Sequence, residues 1–112
     1  MANTFRVATK STVSTSSTTP STIYTVPAST TSIVLALLIT NIHTSSIKAS
    51  IVLSSDTFTN VDVHIIKDVV IEQQTSLELM AGQKYVLQET DILKIYADNA
   101  NLDATLSYME IT

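Results

Sequence analysis

Apolar and polar residues alternate along most of this chain with a period of two, the repeat of a strand that turns one face to a core. The alternation is cleanest from Ile47 to Leu53: Ile47, Ala49, Ile51 and Leu53 fall on one side, Lys48 and Ser50 on the other. Val61, Val63 and Ile65 repeat it against Asp62, His64 and Ile66, and Val69–Ile71 forms a further apolar stretch after Lys67 and Asp68. Thr22–Val26 alternates and stops at Pro27, whose nitrogen has no hydrogen to give to a ladder. Ser32–Asn41 is almost continuously apolar, as in a central strand covered on both faces. Its leucines and alanine would suit a helix. The β-branched Thr30, Thr31, Ile33, Val34, Ile39 and Thr40 favour a pleated sheet instead. Leu77 and Leu79 around Glu78, then Tyr85–Leu87, Ile92–Tyr96 and Leu102–Ile111, complete the series. The last segment sets Leu102, Ala104, Leu106, Tyr108 and Glu110 against Asp103, Thr105, Ser107 and Met109.

About eight short strands at this spacing, with no helical period between them, predict an all-β antiparallel β-sandwich over residues 22–112, of jelly-roll or Ig-like topology. The chain holds one glycine. Ala81-Gly82-Gln83 can turn on it, whereas Ser54-Ser55-Asp56 and Asp98-Asn99-Ala100-Asn101 must turn on Ser, Asp and Asn. Residues 1–21 read differently. Ser11–Ser21 is a low-complexity Ser/Thr run containing Pro20, too polar to offset its own ordering entropy. It is expected to be an N-terminal arm or linker, either ordering against a neighbouring subunit or staying a loose terminus, with a possible short strand at Thr4–Thr9 before it.

Composition sharpens the picture. A length of 112 residues fits one domain. Charged residues are 14% of the chain, well under the usual ~25%, and 14 Ser and 18 Thr fill the gap. Few charges and a mean hydropathy of +0.29 leave a surface that favours association, so a homo-oligomer, with a trimer favoured, is expected. A net charge of −4, with six basic residues scattered from Arg6 to Lys94, argues against nucleic acid. The longest apolar run, Ile33–Ile39, is far short of the ~20 residues that cross a bilayer, so no membrane partner is expected. No apolar stretch follows Arg6 and Lys10, so no signal peptide is expected either.

Candidate chemistry thins out on inspection. A phosphate-cradling loop, a dinucleotide fingerprint or a nucleophile elbow needs several glycines, and thiolate zinc sites need the cysteine this chain lacks. Asp62 and His64 form a D-x-H pair on the polar side of a strand, better read as a solvated face than as metal ligands. His43 reads as a loop histidine. Ser45-Ser46-Ile47-Lys48 matches S-x-x-K, but so serine-rich a chain produces the match by chance, and the partner motifs are missing. Asp98–Asp103 has the spacing of a calcium loop but puts Ala100 at a ligand position and lacks the glycine. Glu89 and Asp91 flank a turn. Tyr24, Tyr85, Tyr96 and Tyr108 fall in strands, with packing roles and hydroxyls at the rim. The expectation is a non-enzyme with no cofactor and no metal.

Ile23-Tyr24-Thr25-Val26-Pro27-Ala28, followed by a Ser/Thr run and a long apolar strand ending in Asn41, opens a longer pattern. It continues with Ser76-Leu77-Glu78, Gly82-Gln83-Lys84, Val86-Leu87 and Asp91-Ile92-Leu93-Lys94-Ile95, and closes with Leu102-Asp103, Leu106-Ser107-Tyr108 and Glu110-Ile111. Over most of its length the chain thereby resembles small β-sandwich virion proteins of tailed bacteriophages, many of them marine or cyanophage. It departs from them at Ala36 and in the proline-free stretch Asp68–Thr75, where members tend to carry Gly or Pro. The resemblance implies a multicopy virion component, assembled in the host cytoplasm, with the major capsid protein or other virion proteins as partners. It implies a head decoration or cement protein ahead of a neck, tail or baseplate accessory protein, and assigns no catalytic residue.

A receptor- or carbohydrate-binding module is the alternative from another class. It would need an aromatic platform, which a chain with no Trp and 5% aromatics builds poorly. The functional residues are therefore expected to be contacts: Phe5, Arg6, Val7 and Val13 in the arm, and Val52, Ile66 and Met109, each apolar on the otherwise polar side of its strand.

Overall fold

The computed structural model describes residues 2–55, 61–79 and 85–112, and its regular elements there are all strands. They are β1 (Asn3–Lys10), β2 (Ser21–Thr25), β3 (Thr31–Asn41), β4 (Ile47–Ser55), β5 (Val61–Ile71), β6 (Ser76–Glu78), β7 (Tyr85–Leu87), β8 (Ile92–Ala97) and β9 (Leu102–Ile111). One sheet runs β1-β9-β3-β6, with β7 on the same edge of β3 as β6. β6 pairs Leu38–Thr40 and β7 pairs Ser32–Val34, so two short strands share that edge. The other sheet runs β2-β8-β4-β5. All these pairings are antiparallel. First and last strands are neighbours and the early strands cross from sheet to sheet, which makes this sandwich a jelly roll.

The alternating residues meet between the sheets. Leu37, Ile39 and Leu106 from one and Ile51, Leu93 and Ile95 from the other are fully buried. The turn Ala81-Gly82-Gln83 and the Asp56 end of Ser54-Ser55-Asp56 lie outside the described residues. Elsewhere, five residues other than glycine take the left-handed conformation, with φ of 51–69°: Thr12, Ser29, Asp68, Gln74 and Thr90. Each position imposes a Cβ–carbonyl clash that glycine would avoid.

Three expectations need correction. Residues 2–21 do not hang from the sandwich as an arm. β1 pairs with β9 along its whole length, from Asn3↔Ile111 to Lys10↔Ala104. Val13 is in the core at 2% exposure, held by Val13 N–H to Ala100 O (3.2 Å) and Ala97 N–H to Ser14 O (3.0 Å). Composition hid this because the Ser/Thr run satisfies itself: Ser14 Oγ accepts from Ser16 N (3.1 Å), and Ser16 Oγ accepts from Thr18 N (3.3 Å). The stretches Val61–Ile65 and Val69–Ile71 are one strand, β5. Its register with β4 shifts around Ile51, and Asp68 N donates to Ser50 Oγ (2.9 Å). Lys67 and Asp68 are thus taken up in a bulge rather than a turn. β3, read as covered on both faces, buries only its inner one. Ser32, Val34, Leu37, Ile39 and Asn41 are buried, whereas Leu38 is exposed and Ile33, Leu35 and Ala36 are half-buried.

Candidate interaction face

The β1-β9-β3 sheet has an inner and an outer side, and strand register fixes what each displays. On β9 the even-numbered residues point inward and are buried, so Ser107, Met109 and Ile111 point outward. Register then builds a row across four strands: Phe5↔Met109, Met109↔Ile33, Ile33↔Val86. The rows on either side are Asn3↔Ile111↔Thr31 and Val7↔Ser107↔Ala36. Phe5, Val7 and Val86 are 73%, 64% and 63% exposed. No charged side chain stands in these three rows. Glu78, opposite Leu38, and Asp103, opposite Thr40, lie towards the other end of the sheet.

The outer side of the second sheet is polar by contrast. His64 Nε2 and the Tyr96 hydroxyl are 2.8 Å apart with the rings edge to face, and Lys94 Nζ lies 4.0 Å from Asp62 Oδ2. Val52 points to this side, but Lys94 and His64 flank it in register and it is 2% exposed. Ile66 pairs with Ile51 and packs against the core. The seven residues expected as contacts therefore separate. Phe5, Val7 and Met109 come together on one face, Val13 and Val52 are buried, Ile66 is half-buried against the core, and Arg6 has a structural role.

That role belongs to a polar cluster inside one end of the sandwich. Arg6 Nε donates to Glu110 Oε1 (2.8 Å), and the Tyr24 hydroxyl donates to Glu110 Oε2 (2.6 Å). With its single proton so committed, Tyr24 accepts from Ser32 Oγ at 2.6 Å. The four residues tie β1, β9 and β3 of one sheet to β2 of the other. The Tyr24 ring lies 4.2 Å from that of Tyr108. Burial first, and then the Glu110 carboxylate, pushes the Tyr24 hydroxyl far above the ordinary phenol range. Burial and the same carboxylate raise Tyr108. The Tyr24 hydroxyl is thus buried rather than at the rim. Glu110 on the apolar side of an alternating strand was the available signal, but its partners became visible only with the pairing.

The remaining candidates serve turns. Asn41, fully buried, donates through Nδ2 to Ser45 O (3.0 Å) and Ile71 O (2.9 Å) and accepts from His43 N (2.8 Å). The His43 ring sits among the amides of Asn101 (3.1 Å) and Asn99 (3.4 Å). Glu89 accepts from Ser29 N (2.8 Å), and Asp91 accepts from Ser55 Oγ (2.9 Å) and Gln88 N (3.0 Å). Among the described residues, no group of three His, Asp or Glu side chains converges as a metal site would need.

No protein-family model matches the chain, and no curated protein matches its sequence. Among solved structures, it is similar to a protein of the Bacillus endospore appendages, described as a novel family of disulfide-linked pili. The TM-score is 0.56 at 15% identity, over 98% of this chain and 88% of that one. A likeness at that identity shows a shared fold.

Proposed function

We propose that this chain is a multicopy structural subunit of a tailed-bacteriophage virion, acting as a head decoration protein that bridges neighbouring capsid subunits. The observation that carries this reading is the uncharged, outward apolar face on β1, β9, β3 and β7, a patch of the size that commonly marks an interaction site. The resemblance of the strand sequence to small virion proteins supports it. So does the occurrence of the fold in a pilus protein, another repeating assembly. That pilus is described as disulfide-linked, and this chain has no cysteine, so its copies would be held by non-covalent contacts alone. Repetition over a lattice makes such contacts lasting, because each further contact forms within an already tethered neighbourhood. The polar clusters serve strands and turns, in keeping with a part that works by binding rather than by catalysis.

Quantitative mass spectrometry of phage particles banded from the source culture tests the reading. Peptides of this chain are expected at a fixed, high ratio to the major capsid protein. Their confinement to the soluble fraction of the lysate would refute a virion role. Antibody labelling in electron micrographs then separates heads from necks and tails.

A further inference from the structure

We infer that the outer face of the β1-β9-β3-β7 sheet is a contact between two copies of this chain, stacked sheet to sheet about a two-fold axis. The inference rests on the multicopy reading above and adds the surface and the occupant. Three observations support it.

The first is area. Phe5, Val7 and Val86 are exposed over most of their surface, and Ile33, Met109 and Ile111 lie half-buried beside them. Together they leave on the order of 450 Å² of apolar side chain open on each copy, the range in which a patch on a monomer is commonly functional. Two such faces, with Asn3, Thr9 and Ser107 around them, would remove about 1,000–1,200 Å² in all, the lower end of specific protein interfaces. The second is charge. A two-fold contact sets only the residues at its axis against their own copies, so a charge near the centre of the face would meet a like charge. The three central rows hold none. A partner recognised by complementary charge would find nothing to pair with in these rows. The third is shape. The face is built from paired strands, and sheets stack face to face at about 10 Å when side chains like these interleave.

Light scattering over a dilution series from about 1 to 200 μM tests the contact, because interfaces at the low end of the size range are commonly weak or transient. The wild-type chain is expected to pass from monomer to dimer in this range and to respond little to salt. Val86→Lys should weaken the dimer at least tenfold. Val70→Lys, at an exposed position on the opposite sheet, should leave it unchanged. Both positions are exposed, so the variants are expected to keep the wild-type circular dichroism. The cysteine-free sequence allows a second test: Ser107→Cys should be joined across the dimer by a short bismaleimide cross-linker, whose reach spans two stacked sheets, and Thr22→Cys should not. Association that Val86→Lys leaves unchanged would overturn the assigned face while leaving a structural subunit in place. A monomer at every concentration would overturn the self-contact. The particle mass spectrometry would still decide the virion role, so the two readings fail separately.

Discussion

Replacing Tyr24 by phenylalanine removes one oxygen from the buried cluster and changes how stability depends on pH. Near neutrality the wild-type hydroxyl donates to the Glu110 carboxylate at 2.6 Å. A hydrogen bond to a charged group contributes about 1.5–3 kcal/mol, so the variant is expected to be roughly 2 kcal/mol less stable at pH 7. In alkali the advantage of the wild type shrinks. The folded-state pKa of Tyr24 lies above its ordinary value, so between the two the unfolded chain has lost a proton that the folded chain keeps. Stability contributed by Tyr24 is therefore complete below pH 10 and declines as pH rises beyond it, by about 1.4 kcal/mol per pH unit. The phenyl ring of the variant has no proton to lose. The gap between wild type and variant should shrink from roughly 2 kcal/mol at pH 9 to below about 1 kcal/mol at pH 11. Tyr108, also raised, titrates in both proteins and cancels from the difference. Urea unfolding followed by circular dichroism at pH 7, 9, 10, 10.5 and 11 measures it. Parallel stability curves for the two proteins would refute the buried donor role of Tyr24.

Deleting residues 1–20 strips β1 from β9 and removes Val13 from the core, so a loss of at least ~4 kcal/mol is expected, comparable with the stability of a small domain. Retention of the wild-type thermal midpoint would restore the free-arm reading. Leu106→Ala opens a cavity at a fully buried site and should cost about 2–5 kcal/mol, a fall in melting temperature of roughly 10–20 °C by calorimetry. Asn41→Asp puts an acceptor where the Ser45 and Ile71 carbonyls need a donor. It should destabilise by about 3 kcal/mol or more in denaturant unfolding, and more than Asn41→Ala does. Gln74→Gly removes the clash at φ 57° and should raise stability by up to ~1 kcal/mol, whereas a loss would show that the side chain matters there.

Most strands and much of the inside of the sandwich are legible in the residue order alone, although Val63, read with Val61 and Ile65 on the apolar side of its strand, is 57% exposed beside the register shifts of β5. Period-two alternation in Ile47–Leu53 and Leu102–Tyr108 names the buried side of each strand before any pairing is known, because side chains on a pleat have only two directions to take. The same reasoning puts a polar tail outside, wrongly, because composition cannot register that Ser and Thr hydroxyls satisfy their own backbone while Val13 reaches the core. Which strands are neighbours emerges only in three dimensions. Register brings Phe5, Met109, Ile33 and Val86 into one row and Arg6, Tyr24, Ser32 and Glu110 into one cluster, though each set spans most of the chain. Alternation reports the direction of a side chain and carries no information about the strand beside it. The apolar outer residues of β3 and β9 therefore look like core in the sequence. They become a face only because no element of the fold packs over them among the described residues.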